Sequence, residues 1–380
     1  MRNISKMSTL EQKFPLLAIE NGCIISKDAD ITVAFEMELP ELFTITSDEY
    51  EAMHSTWYKS IKVLPNYTIV HKQDWFIMER YESELQKEDI SFLGRAYEKH
   101  FNERPFLNHS VYLFITKTNK QKMMQQSNFS TLCRGNILPK EITDKEGVNA
   151  FLEAIMNSSG FFTLKRFDAD EIAGTNEKSG LLDRYFSLSE SNHASLEDIR
   201  LGADEVRIGD KILCLHTLSD TDDLPAHVVT DYRHERLSTD RSDCRLSFAA
   251  PVGLLLSCDH IYNQYIFIDD SAENLKKFER QARNMHSLSR YSRANQINKE
   301  WLEEYMNTAH SKGLTSIRAH FNVLAWSDDR EQLKHIKNDV GSALAMMECK
   351  PRHNTIDTAT LYWAAMPGNA ADFPSEESFY

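Results

Sequence analysis

The chain has 380 residues, 41% of them hydrophobic and 10% aromatic, so it can bury a substantial core in two or three domains and is not a disordered chain. Its formal net charge of −14 excludes general affinity for nucleic acid or anionic lipid unless basic residues are segregated. Six cysteines without paired spacing indicate reduced thiols and a cytoplasmic protein rather than a disulfide framework.

The first 120 residues predict an α+β unit. Residues 31–39 alternate between apolar and polar side chains, which is typical of a half-buried strand. Thr46 or Ser47 is expected to cap the first helix, and Pro65 to end it. The order is strand, helix, strand, helix, strand, at 31–39, 47–64, 67–78, 88–103 and 110–118.

A similar order is predicted for residues 251–380. Asp269–Ser271 and Ser327–Asp329 are expected to cap helices, and Gly313 to end one. The apolar run Leu361–Met366 is predicted to be a closing strand, followed by a turn at Pro367–Asn369. The predicted strands are 260–268, 316–326 and 361–366, and the predicted helices are 272–291, 295–312 and 329–348.

Residues 121–250 are less regular than the two flanking units. We predict helices at 145–156 and 181–188 and strands at 161–167 and 211–217. Together these patterns predict an α+β fold, with helices packed on one face of small mixed or antiparallel sheets. We place domain boundaries near residues 120 and 250, giving regions 1–120, 121–250 and 251–380, and treat duplication of the outer units as a hypothesis.

The last residues predict a further helix. Ser375 is a good N-cap and is followed by two acidic residues, yet the sequence ends about one turn later. Because an isolated helix needs roughly 12 residues to be marginally stable, we expect the sequence to be the front part of a longer protein.

Familiar catalytic motifs are absent from the sequence. It contains no G-x-x-x-x-G-K-[ST] phosphate loop, no G-x-G-x-x-G, no H-E-x-x-H and no G-x-S-x-G. We therefore predict that this chain is not an enzyme by itself, with no catalytic or cofactor-binding residue.

Two Cys-x-His pairs are the nearest approach to a metal site. Cys214 with His216, and Cys258 with His260, would each place a thiol and an imidazole on one strand face, and four such ligands could hold zinc. Structural zinc sites usually have tighter cysteine spacing, so we favour ordinary buried side chains and predict no metal ligand.

Arginines cluster between Arg233 and Arg245 and again between 283 and 293. With Tyr232 and Tyr291 available for stacking, they could contact a single nucleic-acid strand. Acidic residues interleave the first cluster, so we favour a solvated face and expect direct nucleic-acid binding to be the weaker alternative. The candidate residues are Arg236, Arg241, Arg245, Arg290 and Arg293.

Carboxylates also cluster, at Asp48–Glu51 near His54 and at Asp168–Glu171. Both clusters stand where helices are predicted to begin, where acidic residues suit the helix dipole, so we assign them to helix starts rather than acid–base chemistry. Three large apolar residues, Trp57, Trp75 and Phe92, are left open between core and interface.

Several longer strings resemble one known family. They include Ser8–Glu20 with Ile24–Asp30, Leu237–Arg245, Leu288–Gln296 and Met366–Phe373. Together these strings are similar to the N-terminal region of the TraG family of conjugation-system ATPases from conjugative transposons, which resemble the traffic ATPases of type IV secretion systems. The resemblance spans essentially the whole chain.

The resemblance implies a function without catalysis. That family carries its phosphate loop after the Pro-Gly-Asn turn, so ATP and Mg²⁺ are expected only with a C-terminal domain that this sequence lacks. The part present would dock the motor onto inner-membrane components of the transfer apparatus, or onto neighbouring subunits by self-association. It would then be cytoplasmic and attached to the membrane only through partners.

Overall fold

The structure is a computed structural model with an α+β fold, which confirms the predicted class. It describes residues 14–40, 45–81, 91–118, 163–191, 193, 196–202, 205–218, 221–225, 228, 232–235, 238–241, 243–288, 291–315, 317–355 and 357–374. The predicted helix at 145–156 and the helix after Ser375 lie outside the described residues.

In the described part of the chain, twelve strands form one antiparallel sheet, which is larger than the small sheets predicted. They are β1 (Leu16–Glu20), β2 (Cys23–Ser26), β3 (Ile31–Glu38), β4 (Thr68–Arg80), β5 (Pro105–Lys117), β6 (Thr163–Arg166), β7 (Ile199–Leu201), β8 (Val206–Ile208), β9 (Lys211–Thr217), β12 (His260–Ile268), β13 (Ile317–Ser327) and β14 (Arg352–Asn354). The strand order is β1-β2-β3-β5-β4-β12-β13-β9-β8-β7, with β6 paired to β3 and β14 to β9. A separate ribbon pairs β10 (Tyr232–Arg233) with β11 (Arg245–Leu246).

Nine helices are described within those ranges. They are α1 (Ser47–Val63), α2 (Phe92–Asn102), α3 (Ala169–Ala173), α4 (Leu181–Ser187), α5 (Ala250–Leu255), α6 (Ser271–Leu288), α7 (Arg293–Lys312), α8 (Arg330–Met346) and α9 (Thr358–Ala364). Two short 3-10 helices are also described, one at Thr221–Asp223, between α4 and α5, and one at Ala370–Asp372, after α9.

The two predicted outer units share the sheet. Strand β4 of the first unit pairs with β12 of the second over nine residues, from Thr68 opposite Ile268 to Phe76 opposite His260. The sheet therefore continues from one unit into the other. The boundaries near residues 120 and 250, and the duplication, stay predictions.

Both faces of the sheet are covered. One face carries a single core around Trp75, Tyr112 and Leu324, closed by α3, α4 and α9. The opposite face has two separate cores, one under α1 around Phe35 and one under α8 and α5 around Val340. The alternation of side chains along each strand explains why neighbouring residues belong to different cores.

A row of polar side chains is buried beneath α9. Nε2 of Gln73 donates to Oδ1 of Asn263 at 2.8 Å and to the carbonyl oxygen of Ala365 at 2.7 Å. Nε2 of His71 also donates to Oδ1 of Asn263, and Nδ2 of Asn263 donates to Asn322 at 3.0 Å. Because buried polar groups are costly unless paired, this row fixes the register of three central strands and the position of the segment after α9.

The predicted strand at Leu361–Met366 is wrong. Residues Thr358–Ala364 form α9, and Leu361, Tyr362 and Ala364 are all buried. A helix that is buried on several sides has a continuous run of apolar residues in its sequence. Periodicity cannot distinguish such a run from a buried strand. The second unit therefore ends in a helix, although the turn at Pro367–Asn369 follows as predicted.

An N-terminal hairpin was not predicted. Asn21 and Gly22 both have positive φ, of 52° and 67°, and join β1 to β2 in a two-residue turn. Asn-Gly is the commonest sequence for such a turn, so the signal was present in the sequence.

Candidate interaction surfaces

Helix α2 is formed by local signals at its ends. Oγ of Ser91 accepts a hydrogen bond from the backbone N–H of Gly94 at 3.1 Å, which caps the N-terminus. Lys99 and His100 lie in the last turn, where positive charge suits the helix dipole. The helix lies between β4 and β5, at the end of the sheet where Arg80 pairs with Pro105.

The apolar face of α2 is uncovered. None of its eleven residues, all of them described, is buried. Phe92, Leu93 and Tyr97 are 83%, 77% and 65% exposed, and Phe101 is also exposed. Leu93, Tyr97 and Phe101 follow at i, i+4 and i+8, so they form one stripe along the helix.

The strand ends next to α2 extend the apolar surface. The ring centroid of Phe101 lies 4.5 Å from that of Tyr97 and 6.4 Å from that of Tyr81, which follows β4. Met78 and Phe106 are exposed as well. We call α2 with 78–81 and 105–107 the arm, and its exposed aromatic and aliphatic side chains form an apolar surface.

A helical hairpin leaves the opposite end of the sheet. Oδ1 of Asp270 accepts hydrogen bonds from the backbone N–H groups of Ala272 and Glu273, as the predicted cap requires. Helices α6 and α7 pack on each other, with Phe278 edge-on to Tyr305 at 5.5 Å and with buried Ala282 and Ala309 on their respective helices. Gly313 ends α7 with φ of 58°.

The hairpin also exposes aromatic side chains. Tyr291, between the helices, is 86% exposed and Trp301 on α7 is 66% exposed. Ile297, Trp301 and Tyr305 follow at i, i+4 and i+8 along α7, and the last of them, Tyr305, is the residue that contacts Phe278 of α6.

The first arginine cluster lies on the β10–β11 ribbon. Nε of Arg233 donates to Asp243 at 2.8 Å, and Nη1 of Arg233 donates to both carboxylate oxygens of Glu235 at 3.1 Å. The interleaved acidic residues therefore neutralise this arginine, as the solvated-face interpretation expects. Arg241 is exposed in the same loop.

The remaining candidate arginines are divided between two elements. Arg245 pairs with Arg233 across the ribbon through its backbone, whereas Arg293 begins α7 and is exposed. Arg236 and Arg290 lie outside the described residues. The candidates thus belong to the ribbon and to the hairpin, and whether any of them contacts nucleic acid stays a prediction.

The Cys-x-His residues lie in a packed core. Cys214 on β9 and His260 on β12 flank Ala325 of β13 across the sheet. Burial raises the pKa of the Cys214 thiol to about 12 and lowers the pKa of His260 to about 4. Nδ1 of His260 donates to the carbonyl oxygen of Cys258 at 2.8 Å. Among the described residues, no three His, Cys, Asp or Glu side chains are grouped to hold a metal ion.

Both carboxylate clusters are helix starts. Thr46 and Glu49 form a reciprocal capping box at α1, and Asp168 with Glu171 forms another at α3. The hydrogen bond from the backbone N–H of Thr46 lowers the pKa of Glu49. The pKa of Glu171 is lowered mainly by a hydrogen bond from the side chain of Lys165 and also by the backbone of Asp168. The geometry is therefore the one that dipole and capping arguments predict.

A buried ionic cluster was missed by the sequence analysis. The cluster lies on the face of the sheet that α1 and α8 cover. There, Asp74 accepts hydrogen bonds from Lys72 at 2.6 Å and from Nε2 of His109 at 3.0 Å. The His109 ring stacks on Phe76, which stacks on His260 at 4.6 Å. Lys72 and Asp74 share a strand face by alternation, but only the register of β5 brings His109 to them.

Comparison with known proteins gives a partial match. A family profile described as "Domain of unknown function, B. Theta Gene description (DUF3875)" matches residues 3–55, about a seventh of the chain. Within this stretch the structure describes β1, β2, β3 and the first turns of α1. No curated protein matches the chain. In the part of the chain that the structure describes, no helix is both long and apolar enough to cross a bilayer.

Proposed function

We propose that this chain is the docking and assembly region of a conjugative DNA-transfer ATPase of the type IV secretion kind. In this proposal it contacts inner-membrane components of the apparatus or neighbouring subunits, and it has no catalysis of its own. The observation that carries the proposal is α2, an amphipathic helix whose apolar face is exposed along its whole length.

The physical argument is that α2 needs a partner. A helix of eleven residues is marginal in water by itself, and most helices gain their stability from packing an apolar face. Aromatic side chains bury roughly 150–250 Å² each and dominate the energetics of interfaces. The anchors of a protein interface are therefore supplied by the exposed apolar side chains of α2: Phe92, Leu93, Tyr97 and Phe101. The charged residues of α2 supply the rim of that interface.

The sequence resemblance supports the identity of the apparatus. The string Met366–Phe373, one of those similar to the TraG family, packs on the sheet: a Cβ added to Gly368 would lie 2.6 Å from a side-chain carbon of Ile24. Ile24 in turn belongs to another of the similar strings. Two of the strings that carry the resemblance, Ile24–Asp30 and Met366–Phe373, are thus in contact in the fold.

The test is binding of the purified chain to inner-membrane components of a conjugation apparatus reconstituted in nanodiscs, by biolayer interferometry. Leu93→Glu with Tyr97→Glu is expected to weaken binding at least tenfold, because two anchors are removed and charge is placed in the interface. Tyr58→Glu with Val63→Glu is the matched control, since these α1 residues are 53% and 62% exposed. Equal binding by both double variants would overturn the assignment of α2.

Two further measurements separate the possible partners and the absence of catalysis. Sedimentation velocity over a range of concentrations shows whether α2 joins neighbouring copies; in that case Leu93→Glu with Tyr97→Glu abolishes self-association. The chain is also expected neither to bind nor to hydrolyse ATP. Turnover that follows the protein through successive purification steps would contradict the proposal.

A further inference from the structure

Positive charge is segregated in one stretch of this acidic protein. Residues 280–299 contain five Lys or Arg and no Asp or Glu, although the whole chain has a net charge of −14. The stretch covers the second half of α6, the connection and the first two turns of α7. Segregation of this kind is the condition under which an acidic protein can still attract a polyanion.

The structure leaves most of these cations available. Arg280 and Arg283 are neighbours on one face of α6 at i and i+3, and both are exposed, as is Arg293 on α7. Among the described residues, none of these three arginines makes an ion pair. Lys299 differs, because its Nζ lies 3.5 Å from Glu303. The ribbon arginine Arg233 is likewise neutralised, by Asp243 and Glu235.

Exposed aromatic rings occur in the same part of the hairpin. Tyr291 is in the connection between the two helices, and Trp301 lies two turns into α7. Between them lie three amides, Asn295, Gln296 and Asn298, together with Ser292, Arg293, Lys299 and one acidic residue, Glu300. Arginine, amide and aromatic side chains are the groups that contact phosphates, base edges and base faces of an unpaired strand.

We propose that the distal half of the α6–α7 hairpin, residues 280–288 and 291–301, binds single-stranded nucleic acid. Arg280, Arg283 and Arg293 contact phosphates, and Tyr291 and Trp301 stack on bases. An anionic membrane is disfavoured because a helix lying in a bilayer surface needs a broad apolar face, whereas the exposed apolar residues here are single rings and Ile297. The surface is separate from the arm, because the two leave opposite ends of the sheet. Helix α6 follows Ile268, which pairs with Thr68 at one end of β4, whereas α2 ends shortly before Pro105, which pairs with Arg80 at the other end.

The test is fluorescence anisotropy of labelled single-stranded oligonucleotides with the full chain. With three phosphate contacts the slope of log K against log salt is expected to be about −2, so affinity falls about twentyfold between ~50 and ~200 mM salt. Arg280→Glu with Arg283→Glu and Arg293→Glu is expected to weaken binding more than tenfold. Trp301→Ala is expected to weaken it at least fivefold with little change in salt slope.

The control has the same change of charge elsewhere. Lys59→Glu with Arg200→Glu and Lys350→Glu replaces three exposed cations outside the hairpin. If this control weakens binding as much as the hairpin variant, net charge alone is responsible and the proposal fails. Circular dichroism melting checks that both triple variants fold.

Other outcomes would also overturn the proposal. No binding at low salt would do so, as would tighter binding to duplex than to the single strand, since paired bases cannot stack on Tyr291 or Trp301. Binding to phosphatidylserine vesicles that is lost in the hairpin variant, without any oligonucleotide binding, would reassign the surface to membranes. Leu93→Glu with Tyr97→Glu is expected to bind oligonucleotides normally, so failure of the arm proposal is distinguishable from failure of this one.

Discussion

Helices α2 and α8 begin with the same chemistry but end in different environments. Each has a side-chain N-cap, Ser91 for α2 and Asp329 for α8, and each has an amphipathic sequence. Helix α8 buries Leu333, Ile336, Val340, Ala343 and Leu344 against the sheet, whereas α2 buries nothing. The comparison teaches that an apolar stripe in a sequence predicts that one face of the helix will be buried. It does not predict whether the same chain or another molecule buries that face.

The largest expected effect is on the covered helix. Ile336→Ala or Leu344→Ala in α8 is expected to lower the free energy of unfolding by about 2–5 kcal/mol, through lost burial and the cavity left in a closed core. Urea denaturation measures this change. A loss below about 1 kcal/mol for both variants would mean that α8 is not packed as the structure shows.

The next effect concerns the ionic cluster between the cores. Burial pushes the pKa of Asp74 upward, but Lys72 and then His109 outweigh burial and hold the pKa below its usual value. Its stabilising contribution is therefore present above the unfolded pKa of about 3.9 and is lost as the pH falls through the lower folded pKa. Asp74→Ala is expected to cost about 2–3 kcal/mol at pH 7, because Lys72 is left without its carboxylate in a poorly solvated site.

The matched comparison for Asp74 is an exposed ion pair. Glu331→Ala removes the partner of Lys334 on the surface of α8, where both side chains are largely exposed. Such pairs contribute less than about 1 kcal/mol. Equal losses for the two variants, measured by urea denaturation, would show that burial of the Asp74 cluster has no energetic consequence.

Acid is expected to weaken the sheet rather than the arm. Burial lowers the pKa of His71, His216 and His260 to about 4 in each case. The unfolded chain takes up these protons near pH 6.5 and the folded chain does not, so stability falls as the pH drops from about 6.5 toward 4. At pH 5 we expect a loss of about 1–2 kcal/mol for each histidine.

His71→Gln isolates one histidine. Glutamine does not titrate, so the difference in unfolding free energy between pH 7 and pH 5 is expected to shrink by about 1–2 kcal/mol. His100→Gln on α2 is the control, because His100 is exposed. An unchanged pH dependence in His71→Gln would show that His71 takes up a proton equally well in the folded protein and in the unfolded chain, contrary to a lowered pKa.

The smallest effect is on the uncovered helix. Leu93→Ala and Tyr97→Ala are expected to change the free energy of unfolding by no more than about 0.5 kcal/mol, since neither side chain is buried in the chain by itself. Urea denaturation of the isolated chain tests this. A loss of 2 kcal/mol or more would place α2 in the core and remove it as an interaction surface.

Local end signals were the most predictable part of the fold. Thr46, Asp270, Asp329 and Gly313 cap their helices as predicted, because capping depends on a few residues that are close in sequence. The strand at 260–268 was also predicted to the residue. These elements are decided by local hydrogen bonds and by alternation.

Burial was not predictable from residue type. Of the three large apolar residues left open, Trp75 is fully buried, Trp57 on α1 is half-buried against the core beneath that helix, and Phe92 is exposed. Trp75 is covered because its strand β4 pairs with β5 on one side and with β12, nearly 200 residues away, on the other. Such long-range pairing also places His109 beside Asp74, and no local pattern contains it.

The measurement that tests the central claim most directly compares two properties of one variant. Leu93→Glu with Tyr97→Glu is examined for unfolding in the isolated chain and for binding to the reconstituted inner-membrane components. If α2 presents its apolar face to another protein, the unfolding transition is unchanged and binding weakens at least tenfold. An unfolded variant, or one that binds as the wild type does, would contradict the claim.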